Sequence, residues 1–470
     1  MAILAIDQGT SATKAIVVDG SRVLGLAEVP VEVIATPDGG VELDPERLWD
    51  SVLHAGRAAL RDAGSPTLAG IGLANQGETV VAWRRSNGEA IGRAIVWQDR
   101  RSVGECERRA DDAHWLAAAT GLELDPYFVA PKIAWLRGQV PSDAVITTTD
   151  TWLLHRLCGA FVTDVATAGR TLLLDLDECR WHERACGLFG IEPDSLPTVV
   201  GNATPIGTCS WFGGDVPITG ACVDQQAALY AERCRDAGEA KCTYGTGAFL
   251  LASTGSTPTR STNGLVGCPA WQIDGATTWC LDGQVYTVGA AVTWLMDVGI
   301  IGEPADLDRL GAGVADSGGT TFVPALAGLA APFWRPTARA SFTGMSLGTS
   351  RGHLVRAAID GIAAQVTLLA SAAAADLGAP LQRLRVDGGL TRSELLLQTQ
   401  ADLLQVPVEV YPSPHATAIG VAAFAALGAG LTDDPAGWVP ARVVEPAIGA
   451  DEAEGRLDTW RCAAAATMEL

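Results

Sequence analysis

The sequence predicts an α/β protein in which a set of strands followed by helices occurs twice. Near the N-terminus, apolar runs at residues 3–6 and 15–18 flank a polar turn rich in Gly and Thr, and residues 243–251 repeat this strand–turn–strand pattern in mid-chain. Such a turn presents backbone N–H groups and hydroxyls on a concave surface, which can hold phosphate with little positive charge. Two copies indicate two related domains that face each other across a phosphorylated ligand.

The first half of the chain changes from short apolar runs to segments with helical spacing. We predict strands at residues 2–7, 13–19, 22–34, 68–74, 79–83, 94–97 and 217–223, and helices at 45–63, after Pro131, from Asp150 and at 224–231. Leu48, Trp49 and Val52 share one side of the helix at 45–63. We place the domain junction at the last helix, which gives an N-terminal domain, 1–225, and a C-terminal domain, 226–470.

The second half begins with strands and becomes strongly helical. We predict strands at 240–254, 277–285 and 384–387, and helices at 288–298, 353–375, 393–404 and after Thr417. The Ala-rich stretch from Ala357 to Ala375 contains Asp360 and Gln365, which are costly in a bilayer. We therefore predict a helix with a packed face here, and no membrane span.

Composition narrows the class of protein. A chain of 470 residues with 48% hydrophobic and 19% charged residues is typical of a soluble globular enzyme of two or three domains. The net charge of −21 argues against a nucleic-acid partner, because phosphate neutralisation needs a basic face. The 11 cysteines form no CxxC pair and the N-terminus enters a strand directly, so we expect reduced thiols, no signal peptide and a cytoplasmic location.

Eight short motifs follow one another along the chain. They lie at residues 5–10, 94–101, 125–128, 150–153, 224–229, 243–247, 328–334 and 386–389. In this order and spacing they resemble the FGGY family of carbohydrate kinases, and within it the glycerol kinase branch. The resemblance implies two duplicated actin-like (ribonuclease-H-like) domains with a catalytic cleft between them, and ATP and Mg²⁺ as cofactors.

The same resemblance implies which residues hold the phosphates and the metal. Asp7 would hold Mg²⁺, since hard oxygen ligands suit that ion; the alternative is an Asp that stabilises its own turn. The residues that would contact the ATP phosphates come from both turns: Thr10, Ser11, Ala12, Lys14, Thr246 and Gly247. Taken alone, Lys14 could be a solvated strand lysine, and the second turn an ordinary hairpin.

Asp224 is the predicted catalytic base, because a carboxylate there can accept the proton of an attacking hydroxyl. The alternative is a helix N-cap, a position that Asp favours. The resemblance implies that Gln225 binds the substrate, which favours the catalytic interpretation of Asp224. The other predicted substrate residues combine apolar walls with few polar groups: Glu78, Trp97, Tyr127 and Phe249. In isolation, the Trp and Phe could be core aromatics and the Glu a solvated turn residue.

The nucleoside would lie against Gly289, Gly388 and Gly389, where the backbone must come close to it; a plain strand-to-helix turn is the alternative for the last two. Thr293 and Ser393 stand beside the nucleotide where the glycerol kinase pattern has the longer Gln and Asn.

One departure from the pattern concerns specificity. The glycerol kinase pattern has Arg immediately before the pocket glutamate, and here that residue is Gly77. We expect the lost donor pair and the vacated volume to favour a polyol or ketose longer than glycerol.

The predicted function is ATP-dependent phosphorylation of a hydroxyl of a small polyol. The alternatives are a ketopentose kinase of the xylulokinase kind, and a non-catalytic or ATPase-switch member of the fold. We expect a small polyol or sugar as partner, no nucleic acid, no membrane and a homo-oligomer, either dimer or tetramer.

Overall fold

Two large mixed β-sheets, one in each half of the chain, organise the fold. The computed structural model describes residues 1–431 and 438–469. The strands of the first half are β1 (Ala2–Gln8), β2 (Ala12–Asp19), β3 (Arg22–Pro30), β4 (Val33–Ala35), β5 (Val41–Leu43), β6 (Leu68–Asn75), β7 (Val80–Trp83), β8 (Ala94–Ile95), β9 (Val145–Thr148), β10 (Val162–Asp164), β11 (Thr198–Val200), β12 (Gly207–Cys209) and β13 (Val216–Val223). Its helices are α1 (Pro45–Asp62), α2 (Val103–Glu107), α3 (Ala113–Thr120), α4 (Val129–Arg137), α5 (Thr149–Cys158), α6 (Val165–Ala168), α7 (Glu183–Leu188) and α8 (Asp224–Ala231), with 3₁₀ turns at Ala110–Asp112 and Pro193–Ser195.

The second half follows the same plan with more helix. Its strands are β14 (Ala240–Tyr244), β15 (Ala248–Gly255), β16 (Val266–Ile273), β17 (Ala276–Val285), β18 (Thr321–Val323), β19 (Ser341–Thr343), β20 (Leu384–Asp387), β21 (Val408–Val410) and β22 (Arg442–Val444). Its helices are α9 (Gly289–Asp297), α10 (Asp306–Gly311), α11 (Arg351–Leu377), α12 (Glu394–Leu404), α13 (Ala416–Gly428) and α14 (Ala450–Met468), with a 3₁₀ turn at Gly389–Arg392.

The two sheets share one topology. The first has the order β12-β13-β6-β1-β2-β3, and the second β16-β17-β15-β14-β20-β21-β22. In the first, β3, β2 and β1 are antiparallel neighbours, and β6 and β13 continue the sheet in parallel with β1. In the second, β17, β15, β14, β20 and β21 repeat these directions one for one. The duplication predicted from the two turns is therefore confirmed.

Helix α1 illustrates why the predicted elements form. Asp44 precedes it and accepts hydrogen bonds from the backbone N–H groups of Glu46 and Arg47, and Pro45 occupies the first turn, where its missing N–H costs nothing. The apolar side, including Leu48 and Val52, is buried against the first sheet. One predicted strand is divided in the structure: residues 22–34 form β3 and β4, with the break after Pro30, which lacks the N–H that a continuing ladder needs.

Helix α11 is long and apolar enough to cross a membrane by length and composition, but 78% of its most apolar window is buried inside the protein. Val355, Ile359 and Ile362 belong to the core of the second half. The helix therefore serves as a core helix, as the charged and amide residues in its sequence predicted.

Helix α13 lies between β21 and β22 of the second sheet in the chain, yet it packs on β1, β6 and β13 of the first sheet and on α8. Glycines permit this close approach. A Cβ built on Gly420 would lie 1.8 Å from the carbonyl oxygen of Ala227, and one on Gly72 would lie 2.6 Å from the carbonyl oxygen of Val421. The contact joins the two halves of the chain.

Candidate functional site

A cleft of about 430 Å³ contains most of the residues predicted to bind substrate and phosphate. The predicted residues that line it are Asp7, Thr10, Ser11, Lys14, Glu78, Trp97, Tyr127, Asp224, Gln225, Thr246 and Phe249. They come from strand ends and turns of both sheets. Ala12 and Gly247 lie in the two turns without lining the cleft.

The two turns have matching internal bonds. The N–H of Gly9 donates to the carbonyl oxygen of Ala12 over 3.0 Å, and the N–H of Gly245 donates to that of Gly247 over 2.9 Å. Ala12 and Gly247 thus close the turns, which leaves the hydroxyls of the intervening Thr and Ser residues for other contacts.

Trp97 connects the first turn to the substrate side of the cleft. Its indole N–H donates to the hydroxyl of Thr10 over 2.9 Å, and that hydroxyl donates to Gln76 Oε1 over 2.9 Å. The rings of Trp97 and Phe249 lie 6.0 Å apart and those of Trp97 and Tyr127 5.7 Å apart, both edge to face. These half-buried or buried aromatics form a continuous wall that suits the C–H faces of a polyol.

Asp224 is the first residue of α8, and Val223 takes the cap position. The carboxylate accepts one hydrogen bond, from the N–H of Gln225 to Oδ1 over 2.7 Å. Burial, together with the charges of Asp7 and Glu78, raises the pKa of Asp224 to about 7. A carboxyl group with this pKa and a position in the cleft is suited to exchange a proton near neutral pH.

Asp7 is the penultimate residue of β1, and Asp387 is the last residue of β20 in the other large sheet. The two carboxylates interact electrostatically. Burial raises the pKa of Asp7 to about 6, with Lys14 opposing the rise and Asp387 adding to it. Asp387 Oδ1 is buried and has no hydrogen-bond partner among the described residues. Two neighbouring carboxylates, one with an unpartnered oxygen, fit a cation that keeps most of its waters, as Mg²⁺ does. Across residues 1–431 and 438–469, no cluster of three or more His, Cys, Asp or Glu side chains could by itself hold a metal ion.

Glu78 is buried in an ion triad that the sequence did not predict. Arg170 Nε donates to Glu78 Oε1 over 2.6 Å, and Arg170 Nη1 lies 2.8 Å from Asp282 Oδ2 of β17. All three side chains are at most 5% exposed. The triad crosses from one half of the chain to the other, so the interpretation of Glu78 as a solvated turn residue is wrong. Its second oxygen can face a ligand in the cleft.

The space beside Gly77 is only partly vacant. A Cβ built on Gly77 would lie 2.9 Å from Val223 Cγ2, and Val223 lines the cleft. The expected empty volume is therefore occupied at its base by an apolar side chain. The missing guanidinium leaves an apolar wall at this point.

A second and larger cavity, of about 1190 Å³, adjoins the cleft. Gly245 and Thr246 line both cavities, so the second turn separates them. The predicted nucleotide residues that line the larger cavity are Thr246, Gly289, Thr293, Gly389 and Ser393. This volume, with apolar residues such as Leu390 in its wall, is suited to a nucleoside.

Three predicted nucleotide residues have structural tasks. Gly388 does not line the cavity; it has a φ of +96°, and a Cβ there would lie 2.4 Å from the carbonyl oxygen of Tyr244. Thr293 donates to the carbonyl oxygen of Gly289 over 3.2 Å. Ser393 donates to Asp308 and accepts from the N–H of Leu396 as the cap of α12, so its hydroxyl is already occupied. These contacts limit what the last two hydroxyls can offer to a base.

Sequence reasoning missed Arg170, Lys241, Asp282 and Asp387 as site residues. Lys241 is fully buried, and its Nζ donates to Gln225 Oε1 over 2.6 Å. The available signal was a charged residue within an apolar strand pattern, as in β14 and β17, because a charge there needs a buried partner.

Comparisons with known proteins agree across the whole chain. The sequence profile of the FGGY family of carbohydrate kinases, N-terminal domain, matches residues 2–231, and that of the C-terminal domain matches residues 240–429. Glycerol kinase of Bordetella parapertussis is 42% identical over 98% of this chain and 96% of its own length. Glycerol kinase of Thermus brockianus is 42% identical over 93% and 92%.

Solved structures give the same result. A crystal structure of Plasmodium falciparum glycerol kinase with ADP superposes with a TM-score of 0.91 at 32% identity, and covers 99% of this chain and 98% of that one. A xylulose kinase from Rhodospirillum rubrum superposes with a TM-score of 0.84 at 25% identity, with 99% of each chain covered.

Proposed function

We propose a function from the premise that this chain belongs to the FGGY family of carbohydrate kinases: it transfers the γ-phosphoryl group of ATP to a hydroxyl of a small polyol. The observation that carries the proposal is the position of Asp224 in a cleft that meets the larger cavity at the second turn. A polyol in the cleft and a nucleotide in the larger cavity then approach each other at Thr246.

Asp224 acts as general base in this proposal. It accepts the proton of the attacking hydroxyl, while Glu78 and the Tyr127 hydroxyl bind other hydroxyls of the substrate. The aromatic wall of Trp97 and Phe249 contacts the carbon chain. Phosphoryl transfer depends mainly on positioning and on stabilising charge. These residues position the acceptor hydroxyl and take its proton.

The phosphates of ATP are held from both sides. In the first turn, backbone N–H groups at Thr10 and Ser11 and the Ser11 hydroxyl bind from one side, because the Thr10 hydroxyl already donates to Gln76. Thr246 of the second turn binds from the other side, and Lys14 adds a point charge. Asp7 would hold Mg²⁺ through water, with Asp387 close enough to share the charge. When bound, the ion neutralises developing charge on the phosphate oxygens.

The substrate class is the finer part of the proposal. We retain a polyol longer than glycerol as the preferred acceptor. Gly77 lacks the donor pair that would bind hydroxyls of glycerol, and Val223 beside it offers an apolar surface to the C–H face of an additional carbon. Extra carbons would extend along the wall. Unpaired hydroxyls cost about 1–3 kcal/mol, which is enough to change preference.

A substrate panel tests the function and its finer part together. ADP release is measured with glycerol, tetritols, pentitols and ketopentoses at saturating ATP. A polyol with the highest kcat/KM supports the proposal, and a tetritol or pentitol in that place supports the longer substrate. A ketopentose in first place favours the xylulokinase alternative, and ATP hydrolysis without any sugar stimulation contradicts a kinase.

Assembly and location complete the proposal. We expect a cytoplasmic homo-oligomer, dimer or tetramer, and light scattering after size-exclusion chromatography measures its mass directly.

A further inference from the structure

Lys241 is the second residue of β14, the strand that leads into the second turn, and is fully buried. Its Nζ donates to Gln225 Oε1 over 2.6 Å and to the Thr243 hydroxyl over 2.7 Å. Thr243 pairs with Asp387 of β20 in the sheet. A buried ammonium group is costly unless it is paired, so these contacts hold Lys241 in one place.

We propose that Lys241 is a positioning residue that fixes the amide of Gln225 with its NH₂ group directed at the polyol. The inference rests on the proposed function and deepens it. An ammonium group can only donate, so the amide oxygen must face Lys241. Gln225 lines the cleft, and the remaining branch of its planar amide is a donor. Gln225 therefore presents its N–H donors to the substrate, while its oxygen is held by Lys241.

This orientation complements Asp224. The carboxylate of Asp224 accepts the hydroxyl proton, whereas the fixed amide of Gln225 donates to a lone pair of the hydroxyl oxygen. Together the two side chains bind both the donor and the acceptor of one hydroxyl group. As the proton leaves, negative charge develops on the oxygen, and a preorganised N–H donor stabilises it. Without Lys241 the amide of Gln225 can rotate and present its oxygen, which repels a substrate lone pair.

Glu232 is an acidic group near Lys241 that does not take the ammonium group away from Gln225. Glu232 is fully buried, and neither carboxyl oxygen has a hydrogen-bond partner among the described residues. Burial and the charge of Asp387 raise the pKa of Glu232 well above its usual value, against the opposing charges of Lys241 and Arg385, so its surroundings favour the neutral form. It therefore does not compete with Gln225 and Thr243 for the ammonium group.

The test compares Lys241→Met, Gln225→Met and the double variant in steady-state kinetics with ATP and the best polyol of the panel. Lys241→Met keeps an unbranched apolar side chain up to the position of Cε and removes the ammonium donor. We expect its KM for the polyol to rise about 10- to 100-fold, as for loss of a charge-assisted hydrogen bond, with the KM for ATP within about twofold. The double variant should be no worse than Gln225→Met alone, because the lysine acts through the amide.

Lys132→Met is the matched control. Lys132 is also fully buried, and its Nζ donates to the backbone carbonyls of Tyr127 and Phe128, away from Gln225. Its loss should lower the unfolding midpoint without a kinetic coupling to Gln225→Met. An equal coupling for both lysines would overturn the proposal, since a general packing defect then explains it.

Gln225→Glu provides a second route if Lys241→Met does not fold. This variant keeps an acceptor for Lys241 and loses the N–H donors, so we expect an increased KM for the polyol and an unchanged KM for ATP. A normal polyol KM in Gln225→Glu contradicts the orientation, as does a multiplicative loss in the double variant. A wild-type enzyme that phosphorylates no polyol contradicts the proposed function itself, which separates the two failures.

Discussion

Replacement of Asp224 by Asn removes the proposed base with the least change in shape. The amide oxygen can still accept from the N–H of Gln225, which is 2.7 Å from Oδ1 in the native protein. A general base contributes about 10²- to 10⁴-fold, equivalent to about 3–5 kcal/mol of barrier. The pKa of Asp224, raised to about 7, lies near the working pH, where a base is most effective, so we expect a loss of kcat in the upper part of this range.

The pH profile supplies a second measurement on the same variant. The deprotonated carboxylate is the active form, so kcat/KM of the native enzyme should fall as pH decreases through about 7, and at pH 6 about one tenth should remain. Asp224→Asn should lose this acidic limb and keep its KM for the polyol within a few-fold. ADP release in a coupled assay from pH 5.5 to 9 measures both. A variant with more than about a tenth of native kcat, or with the acidic limb unchanged, refutes the base assignment.

Three further predictions concern the pocket and its support. Arg170→Met leaves two buried carboxylates without their cation and should lower the free energy of unfolding, measured in urea, by about 3–5 kcal/mol. The control Arg47→Met, at an exposed ion pair, should lower it by about 0–1 kcal/mol, and equal losses would contradict the buried triad. Gly77→Arg should lower kcat/KM for every acceptor, because the new Cβ meets Val223. The double variant Gly77→Arg/Val223→Ala should recover kcat/KM preferentially with glycerol, and no recovery would show that the Val223 side chain does not limit activity. Gly388→Ala places a Cβ against a carbonyl oxygen of β14 and should increase the KM for ATP with little change in the KM for the polyol, as measured at saturating second substrate.

Local patterns predicted much of the fold. The repeated strand–turn–strand units and the helical spacing of α1 and α11 follow from periodicity, and both were found where the sequence placed them. The division of residues 22–34 follows from Pro30, a local signal that the strand prediction did not use. The task of Ser393, by contrast, depends on a neighbour distant in sequence. Ser393 looks like a nucleotide contact in the linear pattern, but Asp308 binds its hydroxyl.

The sequence predicted those site residues that lie within recognisable motifs. Asp7, Glu78 and Asp224 stand at strand ends or turns that the pattern identifies, and the structure brings them into one cleft. Arg170 and Lys241 could not be assigned in the same way, because each acts through a pairing across the two halves. Only the folded chain shows that these cations face Glu78 and Gln225.

The position of α13 has a consequence for how the protein folds during translation. This helix covers β1, β6 and β13, which are made some 200 to 400 residues earlier. Until residues 416–428 emerge, the nascent first sheet has an uncovered apolar side around Ile3 and Ala74. A fragment that stops at residue 231 should therefore be prone to aggregation, and the N-terminal half should complete its folding only at the end of translation.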